Sequence, residues 1–392
     1  MRPTTAPRPA VRVAVVGLGF GADFVPLYRA HPDVTEVVLV DPDASRRAEI
    51  AARYDLAGGH SSLDDLLAAG DVDAVHLLTP VPTHASYTFR CLESGVHVAC
   101  AVPMATTLDE LEMIITGAER HGLVYQMMET AVFGREFRYV RSLWQRGELG
   151  TATLYTGSHV QNLDGFPSYW QGYPPMHYAT HALSPALALW QTEVTRVTAH
   201  GAGILTPDRR AGGFDNPFPA EVGLFRLRDD PALVQVTMAF FQTGRSYVEG
   251  FSLYGDRGAV EWPADNRGPL TRHTMTGPDP GGRGNRVLTT TVVPPDDTSD
   301  LPESLRGFVA HGGHGGSHPY LVDSYIRAVQ GRRPAAVDAR TAASWTAPGI
   351  CAHTSALAAG RAVQVPSYRV RGNRTGADHS PAAGKTTHQG RA

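Results

Sequence analysis

Cysteine is scarce in this 392-residue chain, where Cys91, Cys100 and Cys351 are the only thiols. Three scattered thiols make neither a disulfide framework nor a zinc knuckle, and Cys100, inside an apolar stretch, reads as a buried core residue. No run of about 18 apolar residues occurs, the length that a membrane-spanning helix needs. Met1 to Ala10 is rich in Pro, Thr and Arg and has neither the apolar segment of a secretory leader nor a twin-arginine pair. Excess charge of one sign is missing too: 35 basic and 38 acidic residues leave a formal net charge of −3. Without a basic stripe interleaved with aromatics, nucleic acid is not an expected partner. These absences predict a cytoplasmic protein with no membrane partner.

The length exceeds one ordinary domain and predicts two, with enough core to need no covalent staples. Short apolar runs at Val11–Val16, Val37–Val40, Ala74–Leu78, Val96–Ala101 and Leu123–Met127 alternate with amphipathic stretches of helical length, such as Leu108–Arg120. Strands that are apolar throughout, separated by helices, predict an α/β Rossmann domain: a parallel sheet with helices on both faces, over residues 11–130. After about residue 150 the texture changes to longer alternating segments at 151–159, 193–202, 220–228, 233–241 and 247–254. With a helix near 181–189 and two more near 320–329 and 339–359, these predict an α+β domain over 131–368. Its sheet is expected to be open and mainly antiparallel. The Gly- and Pro-rich stretch 263–300 reads as a surface loop. Residues 1–10 and the polar tail 369–392 read as disordered.

The segment Gly17-Leu-Gly19-Phe20-Gly21-Ala22 follows the first run and opens a helical pattern. Gly17 permits a tight turn, Gly19 lets backbone approach a pyrophosphate, and Ala22 stays small for helix–strand packing. The helix start offers N–H groups to the phosphates. Asp41 closes the second run, 19 residues past Ala22, where a carboxylate accepts bonds from ribose hydroxyls. NAD is therefore the expected cofactor. Asp41 would repel a 2′-phosphate, so NADP is less favoured, although Arg46 and Arg47 just downstream are the cations that would admit it. Thr79, Pro80, His84, Val102 and Pro103 fall at the carboxyl edge of the sheet, where such folds bind ligands. His84 suits a cofactor contact or a helix cap equally well.

These residues resemble the Gfo/Idh/MocA family over roughly 11–365. The resemblance rests on GLGFGA, on Thr79-Pro80-Val-Pro82-Thr83-His84, on the VHVACAVPMATTLDEL block and on a His-centred motif in the second half. It implies a Rossmann domain joined to an open-sheet domain, a sugar, cyclitol or related polyol as substrate, and a homo-oligomer, dimer or tetramer. The family's ordinary dehydrogenases carry Glu-Lys-Pro where this chain has Ala101-Val102-Pro103, and their Asp-x-x-x-His is here His177-Tyr178-Ala-Thr-His181. Val102 cannot take a hydroxyl proton. The chain is more similar to a lysine-lacking branch, the NAD-dependent α-N-acetylgalactosaminidases, in its Val-Pro, its Tyr178-Ala-Thr-His181 and its Met127-Met128-Glu129. That branch implies transient oxidation of a ring hydroxyl with NAD recycled within the turnover. The net result is hydrolysis, elimination or epimerisation. A conventional sugar or cyclitol dehydrogenase and a non-catalytic cofactor-binding regulator are the competing readings.

Within this frame His181 is the expected general base, because an imidazole titrates in the useful range. His177, four residues earlier, would share its helical face. His177 or Tyr178 would be the second acid/base, and Glu129 a further candidate. Trp170 and Tyr173 would form an aromatic wall for the sugar, with Phe166 and Tyr169 in the same loop. His314 and His318, in the glycine-rich segment 311–318, would line the substrate site. The His177/His181 spacing also matches metal ligation, but no Glu lies between them in the protease arrangement, and no metal is expected.

Overall fold

A computed structural model gives the fold and describes residues 10–210, 212–265, 268–310 and 313–369. The two termini expected to be disordered, apart from Ala10 and Arg369, lie outside the described residues, as do His311 and Gly312.

Five strands form the first sheet: β1 (Val11–Val16), β2 (Val34–Val40), β3 (Ala74–Leu77), β4 (His97–Cys100) and β5 (Tyr125–Met127). They are parallel throughout, in the order β2-β1-β3-β4-β5. Val13, Ala14 and Val15 are all buried, as expected for a strand covered on both faces. The order reverses at β1, which opens a crevice at the carboxyl ends of β1 and β3. The covering helix Leu108–His121 begins with a reciprocal cap between Thr107 and Glu110 and stops at Gly122 in the left-handed region.

The second sheet has nine strands in the order β13-β12-β11-β10-β6-β9-β8-β7-β14. They are β6 (Ala152–Val160), β7 (Val194–Ala202), β8 (Ala220–Leu227), β9 (Leu233–Ala239), β10 (Val248–Gly255), β11 (Gly258–Glu261), β12 (Leu270–Pro278), β13 (Asn285–Val292) and β14 (Val363–Gln364). The pairing is antiparallel except between β6 and β9, which run parallel, so the sheet is mixed. β9 buries every second residue, and helices Thr180–Trp190 and Ala339–Leu357 cover that face. The first of these helices lies so close to β6 that a Cβ at Gly157 would sit 2.1 Å from the Ala182 carbonyl oxygen.

Two expectations need correction. The stretch 263–300 is no loop: β12 and β13 form a hairpin that extends the sheet. β13 is exposed nearly throughout, so it carries no inside–outside alternation, and the flanking Gly and Pro hid its Thr- and Val-rich pattern. Helix His318–Val329 belongs by packing to the first sheet rather than to the second. Its Leu321, Val322, Tyr325 and Ile326 join the cluster of Val13, Val15 and Leu27, and Tyr325 donates a 3.1 Å hydrogen bond to the Val75 carbonyl. All three cysteines are free and buried. Among the described residues no helix is long and apolar enough to cross a membrane.

Candidate active site

The glycine segment turns directly off β1. Gly17 has φ +89°, and a Cβ there would lie 2.7 Å from the Leu78 carbonyl oxygen. Around Gly19 nothing lies within 4 Å of a built Cβ, which leaves the open approach that a pyrophosphate needs. The close helix–strand contact falls to Gly21, whose added Cβ would meet Val15 at 3.0 Å, and not to Ala22, which is only half-buried. The expected helix is a single turn, Leu18–Gly21, followed by a second helix, Val25–Ala30. Phe20 projects from this turn, 44% exposed. Asp41 accepts a hydrogen bond from the Leu18 N–H at 2.7 Å and another from the Asp43 N–H at 2.9 Å. Arg46 reaches the same carboxylate at 3.2 Å, and Arg47 holds the Asp41 carbonyl. The turn, its open flank and the carboxylate closing β2 fit a dinucleotide. When bound, it would rest on residues 17–22 with its adenosine ribose at Asp41.

Thr79 and Pro80 stand at the end of β3, where the Thr79 hydroxyl lies 2.7 Å from that of Thr83. His84 is buried with its two ring nitrogens 2.8 Å from the Pro103 carbonyl and 2.9 Å from the Thr79 carbonyl. Its neutral ring donates to one of these carbonyls, and both nitrogens point at the ends of β3 and β4 rather than at a ligand, which corrects the contact expected of it. Burial also depresses its basicity. Val102 is buried, and a cis peptide joins it to Pro103. The whole sequence contains one lysine, Lys385, outside the described residues, so no described ammonium stands in for the one missing at position 102.

Across the crevice, His181 opens helix Thr180–Trp190. Its Nδ1 lies 2.6 Å from Glu129 Oε1 and 3.8 Å from Glu249 Oε1. Glu129, fully buried after β5, also accepts the Ala131 N–H at 3.0 Å, and this fixes its orientation. Burial opposes charge on His181, but the two carboxylates outweigh it and lift the imidazole to about 9. The two carboxylates therefore favour the protonated imidazole, a form that gives up a proton rather than takes one.

The other expected residues divide. Tyr178 packs edge-on against His181 at 4.9 Å, within the site. His177 does not share the face of His181: it sits in the 3-10 turn Pro175–Tyr178, one step before the helix. There its ring meets His353 and Tyr173. Burial, then the neighbouring His353, hold it at about 3. It is a half-buried imidazole kept neutral against these rings, away from His181, rather than a second acid/base. Tyr173 is fully buried and cannot line a substrate wall. Trp170 is half-buried against Tyr178 at 5.3 Å and keeps that option, whereas Phe166 and Tyr169 are exposed. His314 stacks on His181 at 6.2 Å with Nδ1 3.8 Å from Glu249 Oε2. His318 stacks on Phe24 at 4.4 Å, edge-on to Phe20, which joins the second half of the chain to the glycine turn. Burial lowers His318 to about 3.

Three residues of this site were not anticipated: His159, Tyr247 and Glu249. His159 on β6 and Glu249 on β10 are directly opposed in the strand register. Burial lowers His159 to about 4. The Tyr247 hydroxyl donates to Glu249 Oε2. Burial would raise the Glu249 carboxyl, but His181 and His314 hold it far below the usual carboxylate range. A cleft of about 420 Å³ runs from Phe20 past His318 and His314 to His181, Tyr247 and Glu249, a volume suited to a small ligand. Its walls offer imidazoles, carboxylates and a phenol, groups that exchange protons with hydroxyls.

This combination defines a dinucleotide-binding oxidoreductase fold with an imidazole–carboxylate site on the opposing sheet. Residues 11–129 match the family described as "Oxidoreductase family, NAD-binding Rossmann fold", and this first domain belongs to the Gfo/Idh/MocA family. A "Glycosyl hydrolase family 109 protein" of Streptomyces niveus is 25% identical over 404 residues, covering 92% of this chain and 78% of that protein. A 4-carboxy-2-hydroxymuconate-6-semialdehyde dehydrogenase of Sphingobium sp. is 28% identical over 179 residues, 44% of this chain and 57% of its own length. Among solved structures, levoglucosan dehydrogenase in complex with NADH and levoglucosan superposes with a TM-score of 0.75 at 17% identity. The overlap covers 91% of this chain and 100% of that one, a likeness of fold.

Proposed function

We propose that the chain is an NAD-dependent enzyme that oxidises a ring hydroxyl of a sugar or glycoside transiently, with the cofactor restored within the same turnover. The net reaction would be hydrolysis, elimination or epimerisation. The observation carrying this reading is the exchange of groups at the reacting centre. Val102 stands where the family's dehydrogenases place lysine, and an imidazole–carboxylate cluster on the opposing sheet faces the cleft instead. A bound nicotinamide would supply reversible hydride acceptance at a ring carbon. Glu129 orients His181 at 2.6 Å, so His181 is the group that engages the reacting hydroxyl. Tyr178 and Tyr247 flank that imidazole with phenols suited to sugar hydroxyls, and Trp170 offers an aromatic face behind Tyr178. The glycosyl hydrolase relatives support the redox-neutral form of the reaction. Asp41 favours NAD.

Exhaustive dialysis followed by assay on a panel of glycosides tests the reading. The dialysed protein should keep NAD(H) and turn over with none added. Stoichiometric release of free NADH would instead make it a conventional dehydrogenase, and cofactor binding without any turnover would leave a regulator.

A further inference from the structure

The sheet brings together ligands that no sequence spacing announces. His159, His181 and Glu249 each present one ligating atom, and these atoms lie within 4.8 Å of one another. His159 and His181 are buried and the Glu249 side chain nearly so. They come from β6, a helix start and β10, which are far apart in the chain. We propose that His159, His181 and Glu249 form a divalent transition-metal site, with zinc as its best-matched ion.

Two imidazoles and one carboxylate are a donor set used by catalytic zinc, which leaves a further position open to water or substrate. Bonds of about 2.0–2.2 Å to a tetrahedral ion place ligand atoms roughly 3.4 Å apart. The present spread therefore closes by about 1.4 Å at most, within the reach of side-chain rotation. Metal ligands are ordinarily steadied by outer partners, and each of these three has one. Gln161 lies 3.2 Å from His159 Nε2, Glu129 lies 2.6 Å from His181, and Tyr247 donates to Glu249. Within the ligand set, His159 Nδ1 is buried with no hydrogen-bond partner. A buried acceptor left in this state is costly, and an ion bound at that nitrogen removes the cost. The charge count agrees, since the cluster holds two buried carboxylates and the described residues include no lysine to balance them. A proton on His181 is one way to balance them, and a dication ligated by the same side chains is another.

The cleft that His181 and Glu249 line also contains Tyr247 and His314, so the open coordination position would face a bound sugar. With the ion bound, the ring nitrogen of His181 that would otherwise meet the hydroxyl is spent on the metal, so the ion itself would engage and polarise the ring hydroxyl or carbonyl. This consequence rests on the proposed function, but the binding of the ion does not.

The untagged full chain, stripped with chelator and then dialysed against micromolar zinc, is expected to hold about one ion after desalting. Cobalt in its place should give the visible bands of a four- or five-coordinate site. His159→Gln and Glu249→Gln should each weaken zinc at least tenfold and abolish those bands while NAD affinity stays within threefold. Two variants are used so that a folding defect in one leaves the other to decide. Retention of less than a tenth of an ion by the wild type overturns the proposal, as does undiminished binding in both variants. A chain that binds NAD but no ion sinks this inference alone. A chain that binds the ion but no dinucleotide sinks the proposed function instead.

Discussion

At His181 an imidazole is buried between two carboxylates, and that placement decides what a substitution there does. His181→Ala removes the group proposed to meet the reacting hydroxyl but touches nothing near Gly17 or Asp41. Dinucleotide affinity should stay near wild type in calorimetry while turnover falls by about 10²–10⁴-fold. A variant within threefold of wild type would remove His181 from the chemistry. Asp41 poses a different question, because Arg46 lies 3.2 Å from its carboxylate and is already the cation that a 2′-phosphate would seek. Asp41→Ala is expected to weaken NAD more than NADP, since it frees Arg46 and removes the ribose acceptor together. Equal weakening would show that the carboxylate serves the turn through Leu18 rather than cofactor choice. The residue scale also shows why His177 misled. Spacing of four implies one face only inside one helix, and here a 3-10 turn intervenes between His177 and His181.

Among the elements, the apolar strands were the most legible, because burial on both faces leaves an uninterrupted Val- and Ala-rich record. β1 and β3 begin where the sequence placed them, and β2 starts three residues early with exposed Thr35 and Glu36. The hairpin of β12 and β13 left no such record, since an exposed ribbon needs no hydrophobic face. The joint between β7 and the C-terminal helix was not visible either. Glu193, at the start of β7, accepts hydrogen bonds from the Ser344 hydroxyl at 3.0 Å, the Ser367 hydroxyl at 2.7 Å and the Tyr368 N–H at 3.1 Å. Burial alone would raise this carboxyl, but these donors hold it below its ordinary 4.5. A carboxyl depressed on folding stabilises the fold above that value, and the contribution disappears as pH falls through the folded value. Glu193→Gln should therefore cost roughly 1–3 kcal/mol at pH 7, with the difference narrowing below about pH 4.5. Denaturant midpoints measured from pH 7 to pH 3 would check this, and parallel curves would rule it out.

In the whole molecule, helix His318–Val329 packs on the first sheet, although it follows the second sheet in sequence, and it carries His318 to the edge of Phe20. The cleft thus has walls from both halves. The sequence by itself determined the Rossmann sheet, the glycine turn with Asp41, the absence of lysine at position 102 and the candidacy of His181 and Glu129. Each of these depends on local chain stiffness, on alternation or on residues near one another in the chain. Only the tertiary structure decided that His159 and Glu249 stand opposite each other, that His84 and Tyr173 are structural, and that His177 faces away. Strand register sets His159 opposite Glu249, ninety positions away, and helix docking joins Tyr325 to Val75 from further still, and no pattern of neighbours records which distant side chains a packed core will set face to face.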